Sequence, residues 1–150
     1  MVVSVEPKPR LRFSDDLLPE ECVEHLPLLH CRSCGRMGWL STKPESEHRF
    51  SSSLEKIYSA FFGNSPTVHY IFHENRANPM PGRQLETGET LCGKCLALTY
   101  GEKVGQCGNC GAKDALVPVR CHNPRRKNKS GNWHVYNSCP HCGEHESLTI

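Results

Sequence analysis

Residues 25–41, HLPLLHCRSCGRMGWLS, join a short apolar run to a Cys-x-x-Cys pair and then to a second apolar run. Two cysteines separated by two residues can direct both sulfurs toward one point, which supplies half of a tetrahedral metal site. Gly35 directly follows the pair and permits a tight turn that brings backbone N–H groups near the sulfurs. The flanking runs, with Trp39 and Leu40 in the second, predict a β-hairpin around this turn.

Four such pairs occur in the chain, and they contain eight of its ten cysteines. The predicted metal ligands are Cys31, Cys34, Cys92, Cys95, Cys107, Cys110, Cys139 and Cys142. Zinc is the usual structural occupant of four-cysteine sites, although iron is compatible with the same ligands, so we expect two Zn(2+) ions per chain. Both sites would be coordinatively closed, with no open position at which to activate water.

The four pairs can combine into two sites in three ways, and the sequence does not choose between them. We expect the sequential combination, in which the pairs beginning at Cys31 and Cys92 form one site and those beginning at Cys107 and Cys139 form the other. Each site would then close its own loop. The nested alternative joins the Cys92 and Cys107 pairs across the 11 intervening residues, as in a compact ribbon.

Cys22 and Cys121 lie outside the four pairs. A third site built from Cys22, His25, Cys121 and His122 would be chemically compatible with zinc, but nothing in the sequence fixes the distance between these residues. We therefore interpret both cysteines as thiols that bind no metal. The other histidines of the chain are interpreted as packing or surface residues.

The composition indicates a chain that needs metal in order to fold stably. Its 150 residues include 11 prolines and 12 glycines, and the 37% hydrophobic content counts all ten cysteines. A core this small needs disulfides or metals. The N-terminus lacks the apolar segment of a secretory signal, and no run approaches the ~20 apolar residues of a membrane span. We therefore expect a cytoplasmic metalloprotein with reduced thiols and no membrane association.

One segment has a clear helical pattern. Between Ser52 or Ser53 as N-cap and Gly63 as the end, apolar side chains recur at three-to-four spacing. We interpret the aromatic stripe of this helix as a core face that packs on a small sheet, in preference to a ligand groove. The next segment, TVHYIFHE at residues 67–74, has the composition of a β-strand.

The order of these features predicts three regions. Residues 1–25 contain prolines and then acidic side chains, so we expect an extended N-terminal segment that starts away from the core. Residues 26–100 would form a first zinc-ribbon-like unit with the helix and strand as an insertion, and residues 101–150 a second unit. The predicted fold class is a small α+β metal-stabilised domain with two zinc-ribbon-like four-cysteine sites, short β-hairpins and one amphipathic helix.

A cationic segment lies between Ala115 and Gly143, with five Lys or Arg residues and no acidic one. The candidate nucleic-acid-binding residues are Arg120, Arg125, Arg126, Lys127, Lys129, Trp133 and Tyr136. Cations bind phosphates and aromatic rings stack on unpaired bases, so DNA or RNA is an expected partner; the alternative is a solvated loop tip. Eight thiolates and two zinc ions would change the formal net charge from +2 to about −2, so any attraction must be local.

The sequence lacks three common catalytic motifs. It has no Gly-x-x-x-x-Gly-Lys-Ser/Thr phosphate loop, no Gly-x-Ser-x-Gly elbow and no His-Glu-x-x-His helix. Cys-x-x-Cys can also perform thiol redox chemistry, but it then begins a helix, whereas three of these pairs precede a glycine. We expect no enzyme, and a redox protein is the least favoured function.

The order of the motifs resembles the cysteine-rich zinc-binding region of large bacterial DEAD/DEAH-box helicases, including ones linked to phage defence. The resemblance covers roughly residues 25–150 and follows the segments HLPLLHCRSCGRMGW, IYSAFF, LCGKCLAL, CGNCGAKDALVPV and CPHCGEHESLTI. It implies an excised domain or detached relative, with a nucleic-acid setting and the helicase lobes of a parent protein as partners. The motor motifs of that family are absent here. We expect a structural or nucleic-acid-binding accessory module, and the alternative is a zinc-ribbon protein–protein adapter.

Overall fold

A computed structural model gives the fold of the chain. It describes residues 2–6, 10–13, 15, 17, 20, 25–44, 46–73, 89–100, 106–113, 115–127, 129–135, 138–139, 142–144 and 147–150, with the backbone alone at 100, 126–127 and 133–135. Of the residues selected above, Cys22 and Tyr136 lie outside the described residues.

Short antiparallel strands and one helix make up the described part of the chain. The strands are β1 (Val2–Ser4), β2 (Leu11–Arg12), β3 (His25–Cys31), β4 (Met37–Thr42), β5 (Val68–His73), β6 (Glu89–Cys92), β7 (Leu98–Tyr100), β8 (Leu116–His122), β9 (Arg125–Lys127), β10 (Trp133–Val135) and β11 (Leu148–Thr149). The helix, α1, is Leu54–Phe62. The predicted β3–β4 hairpin, helix and β5 strand are confirmed.

Nine of these strands form one sheet with the order β2-β1-β3-β4-β5-β8-β6-β7, and β11 pairs with β3 beside this path. The strands β9 and β10 form a separate hairpin. Because β8 pairs with both β5 and β6, strands that precede and follow residue 100 belong to the same sheet. The predicted division into two zinc-ribbon-like units, residues 26–100 and 101–150, stays a prediction.

The first residues of the chain belong to the core, so the prediction that the segment starts away from the core is wrong. Val2, Val3 and Val5 are buried, and Val3 lies opposite Leu26 in the β1–β3 pairing. The indole Nε1 of Trp39 donates to the Ser4 carbonyl at 3.1 Å. Three β-branched valines in residues 2–5 favour a strand, and this tendency prevails over the prolines that follow.

Helix α1 packs on β4 and β5 and lies within the limits predicted for it. The Ser53 hydroxyl accepts a hydrogen bond from the Lys56 N–H at 3.4 Å, and Gly63 is the C-cap. The buried face is narrower than predicted, because Ile57 is fully buried whereas Phe62 is 72% exposed. No helix among the described residues is long and apolar enough to cross a membrane.

Candidate metal centres

The eight paired cysteines form two groups in the structure. The first centre comprises Cys31, Cys34, Cys139 and Cys142, and the second centre comprises Cys92, Cys95, Cys107 and Cys110. Within each group all four sulfur atoms lie within 4.8 Å of one another. This is the nested combination, so the expected sequential pairing is wrong.

The order of strands in the sheet explains the nested pairing. The Cys92 pair forms the turn between β6 and β7, and the Cys107 pair precedes β8. Because β8 pairs with β6, placing Cys92 opposite Leu116, the Cys107 pair returns to the Cys92 pair. At the other end of the chain, β11 pairs with β3 and places Leu148 opposite Cys31, which brings the Cys139 pair to the β3–β4 turn.

The sulfur–sulfur distances fit four-coordinate metal sites. The closest pairs are Cys31–Cys142 at 3.7 Å, Cys34–Cys139 at 3.8 Å, Cys92–Cys110 at 3.6 Å and Cys95–Cys107 at 3.5 Å. A tetrahedron with Zn–S bonds of ~2.3 Å separates its sulfurs by about 3.8 Å, whereas a disulfide brings them to about 2.05 Å. None of the described cysteines forms a disulfide. Each centre could therefore hold one thiophilic metal ion.

All four pairs adopt the same hydrogen-bonded turn. The N–H of the first cysteine donates to the carbonyl five residues later, at 2.8 to 3.1 Å. The N–H four residues after the first cysteine donates back to that cysteine's carbonyl, at 2.8 to 2.9 Å. Two such bonds fix the path of the backbone around the sulfurs. The sites are therefore assembled from four copies of one local structure.

The residue that donates the second of these bonds has a left-handed backbone in every pair. The φ angle is 76° at Gly35, 78° at Gly111 and 74° at Gly143, as the role predicted for these glycines requires. The fourth position is Leu96, with φ of 62°. A left-handed leucine costs roughly 1–2 kcal/mol. Leu96 is only 1% exposed, so its burial offsets that cost.

In the first centre, the thiol of Cys31 has a low pKa. Burial raises the pKa of Cys31, but hydrogen bonding with Ser147 and with the N–H groups of Cys34 and Ser33 lowers it to about 6. The Cys31 Sγ lies 3.2 Å from the Ser147 Oγ and 3.5 Å from the Cys34 nitrogen. Sequence reasoning missed Ser147, since no motif distinguishes a serine at this position.

The second centre has a matching thiol at Cys107. Burial raises its pKa, but the N–H groups of Cys110 and Asn109, which lie 3.5 and 3.4 Å from its sulfur, lower it to about 6. At Cys92, by contrast, burial dominates and raises the pKa to about 12. Metal ligands must be deprotonated, and each centre contains one thiol, Cys31 or Cys107, whose hydrogen bonds favour the thiolate form.

The two centres differ in their exposure to solvent. In the first centre, Cys34 and Cys142 are exposed, whereas in the second centre only Cys110 is exposed. The second centre also lies against the N-terminal segment, because a Cβ atom at Gly93 would overlap the carbonyl oxygen of Val5. The N–H of Gly93 donates to the Ala115 carbonyl at 2.7 Å. Gly93, which lies within the Cys92 pair, is therefore packed against the backbone of two other segments.

Among the described residues, Cys121 belongs to no group of metal ligands. Cys121 packs against the main core, and Cys22 lies outside the described residues. His69 is engaged in packing: its Nδ1 lies 2.8 Å from the Thr67 carbonyl oxygen, and its ring contacts Phe50 edge-on, with 5.4 Å between ring centres.

The residues predicted to bind nucleic acid lie mostly in the β9–β10 hairpin, where Trp133 is opposite Lys127. The segment predicted to be a loop tip therefore has strand structure on both sides of its turn. Lys129 is exposed in that turn, at the left-handed Gly131 end of the hairpin. Arg120 lies outside the hairpin, in β8, and is half-buried.

Arg125 is not available to a ligand, which corrects the expectation that it is an exposed cation. It is 6% exposed, and its guanidinium donates to the carbonyls of Ala60 at 2.9 Å, Ser65 at 3.1 Å and Phe61. The guanidinium carbon lies 5.2 Å from the centre of the Phe61 ring. The acceptors precede Arg125 by 60 or more residues, so no local pattern could indicate this role.

No family model, curated protein or solved structure matches this chain. The resemblance to helicase zinc regions therefore stays a prediction, supported by the order of the motifs. The function of the chain is therefore inferred from its two centres and its surface.

Proposed function

We propose that this chain is a non-catalytic module stabilised by two zinc ions, one in each centre, and that the folded module binds nucleic acid. The observation that carries the proposal is the arrangement of eight cysteines in two four-sulfur groups with closest distances of 3.5 to 3.8 Å. Zinc is the usual structural occupant of a tetrahedral four-thiolate site.

The role proposed for the zinc ions is structural. Four sulfur ligands complete the coordination of each ion, which leaves no position for a substrate or an activated water. The first ion would hold the β3–β4 turn against the segment that leads into β11, and the second would hold the β6–β7 turn against the start of β8. The first ion would therefore link segments distant in the sequence, and the second would link segments close in the sequence.

The nucleic-acid part of the proposal is supported by the β9–β10 hairpin. Residues 115–143 include no aspartate or glutamate, and Lys129 is exposed in the hairpin turn. The formal charge of the zinc-loaded chain is about −2, so this local concentration of positive charge, and not the total, would attract phosphates. With Arg125 buried, we assign the phosphate contacts to Arg126, Lys127 and Lys129.

Changing Arg126, Lys127 and Lys129 together to alanine is expected to weaken binding to an oligothymidine. Loss of three phosphate contacts should reduce the slope of log affinity against log salt by about 2, because each contact to a single strand contributes about 0.7. Fluorescence anisotropy over a series of salt concentrations would measure this change. The control is the triple alanine variant at Lys56, Lys94 and Lys113, which are all exposed and lie outside the hairpin.

The control variant removes the same number of positive charges, so it should keep most of the affinity and slope. An equal effect of the two triple variants would mean that the hairpin is not the site. An unchanged slope in the hairpin variant, with its two metal ions retained, would contradict the nucleic-acid proposal.

A protein–protein adapter is the second candidate, and one observation favours it. Phe62 is 72% exposed and stacks with Tyr58, so the end of α1 presents aromatic surface to solvent. An interface centred on this ring would depend on burial of apolar surface and would be largely insensitive to salt. The salt series above therefore separates the two candidates.

A further inference from the structure

Three aromatic side chains form a cluster at the C-terminal end of α1. The ring of Tyr58 is stacked with that of Phe62, with centres 6.2 Å apart and planes inclined by 25°. Phe61 contacts Phe62 edge-on at 5.2 Å. We call Tyr58, Phe61 and Phe62 the aromatic cluster. Phe61 packs against the core, whereas Phe62 is largely exposed, so the fold leaves one ring of the cluster in solvent.

Arg125 joins the aromatic cluster to the β9–β10 hairpin. It is the first residue of β9, and its guanidinium bonds to the carbonyl groups at the end of α1 and covers the Phe61 ring. The backbone N–H of Arg125 donates to the Asn123 Oδ1 at 3.0 Å, and the Asn123 Nδ2 donates to the Pro66 carbonyl at 3.0 Å. These bonds fix the start of the hairpin against the end of the helix.

We propose that the aromatic cluster and the β9–β10 hairpin form one surface for single-stranded nucleic acid, in which Phe62 stacks on a base and the hairpin cations contact the adjacent phosphates. The inference rests on the nucleic-acid function proposed above and adds the strand type and the stacking residue. Arg125 acts here as a positioning residue, because it is buried and its Nη1 and Nη2 donate to backbone carbonyls.

The chemistry of the surface favours an unpaired strand as its occupant. An exposed aromatic ring can stack on a base only where that base is free of its complementary strand. Tyr58 stacks against Phe62 and limits its movement, so less side-chain entropy is lost on binding. The positive charge of the neighbouring hairpin is complementary to a phosphate backbone. A largely apolar protein partner would gain nothing from that charge.

Replacing Phe62 with alanine tests the stacking contact. Loss of one stacked base costs ~1–3 kcal/mol, so the affinity for oligothymidine should fall about 5- to 150-fold while the salt slope stays unchanged. The matched control is Phe13→Ala, which removes another exposed phenylalanine, 62% exposed, from the N-terminal segment. Thermal unfolding of both variants should stay near that of the unchanged chain, because both rings lie mostly in solvent.

The fluorescence of a Phe62→Trp variant would report directly on contact between the side chain at position 62 and a base. Its affinity should be retained, and its fluorescence should be quenched by oligothymidine more than that of the unchanged chain, which already contains Trp39 and Trp133. Equal affinity for a duplex of the same length would overturn the choice of a single strand.

These experiments distinguish a failure of the stacking inference from a failure of the proposed nucleic-acid function. If Phe62→Ala binds normally while the hairpin triple variant does not, the stacking inference is wrong and the proposed function stands. If the unchanged chain does not bind oligothymidine at low salt, both are wrong. Loss of binding in Phe13→Ala equal to that in Phe62→Ala would mean that Phe62 has no specific role.

Discussion

Replacing Cys139 with serine is expected to remove one of two metal ions and to destabilise the chain more than the same change at Cys107. The first centre links residues 105 apart in the sequence, since Cys34 lies against Cys139, whereas the second links Cys95 to Cys107 across 12. By the loop-closure entropy used for disulfides, a link across about 100 residues contributes about 4.7 kcal/mol, and one across about 15 residues about 3 kcal/mol. The two variants should therefore differ by about 1–2 kcal/mol.

Loss of the first metal should also release the C-terminal strand. Ser147 and Leu148 are buried and are held next to Cys31, whose sulfur belongs to the same centre. Metal analysis and denaturant unfolding of each variant would test this expectation. Each variant should retain one metal equivalent. A Cys107→Ser chain that lost the metal bound by Cys139, or that was the less stable of the two, would contradict the structure.

Replacing Arg125 with methionine is expected to destabilise the zinc-loaded chain by about 3 kcal/mol. Methionine fills a similar volume but cannot donate, so the carbonyls of Ala60, Phe61 and Ser65 would lose the guanidinium donors and keep only their backbone N–H partners. Hydrogen bonds from a charged donor contribute about 1.5–3 kcal/mol each, and the relief from burying a charge offsets part of their sum.

Urea unfolding followed by circular dichroism would measure the effect at Arg125. Lys129→Met is the matched control, because Lys129 is exposed in the same hairpin and should change the free energy of unfolding by no more than about 0.5 kcal/mol. Both variants should still bind two metal ions, since neither residue is a ligand. A change at Arg125 as small as that at Lys129 would mean that the hairpin is not fixed to α1 through this side chain.

The metal-ligand set was predictable from the sequence because it depends on local structure. Two cysteines three positions apart form the same turn wherever they occur, and the helix limits at Ser53 and Gly63 follow equally local rules. Leu96 stands where the other three pairs have glycine, yet its turn is the same. The hydrogen bond from the Leu96 N–H and the burial of its side chain compensate for the cost of the left-handed backbone.

The pairing of the centres was not predictable, because it depends on which strands are neighbours. The sequence does not reveal that β8 pairs with β6, and this single pairing brings the Cys107 pair to the Cys92 pair. Arg125 illustrates the same limit. A run of cations in the sequence indicates an exposed surface, yet the first arginine of the run is buried against carbonyls of a distant helix.

Cadmium-113 NMR of the metal-substituted chain tests the central claim most directly, because each ion couples to the β-protons of the cysteines that bind it. We predict two cadmium resonances, one coupled to Cys31, Cys34, Cys139 and Cys142 and the other to Cys92, Cys95, Cys107 and Cys110. A single bound ion, or one resonance coupled to both Cys31 and Cys92, would contradict the two centres described for this fold.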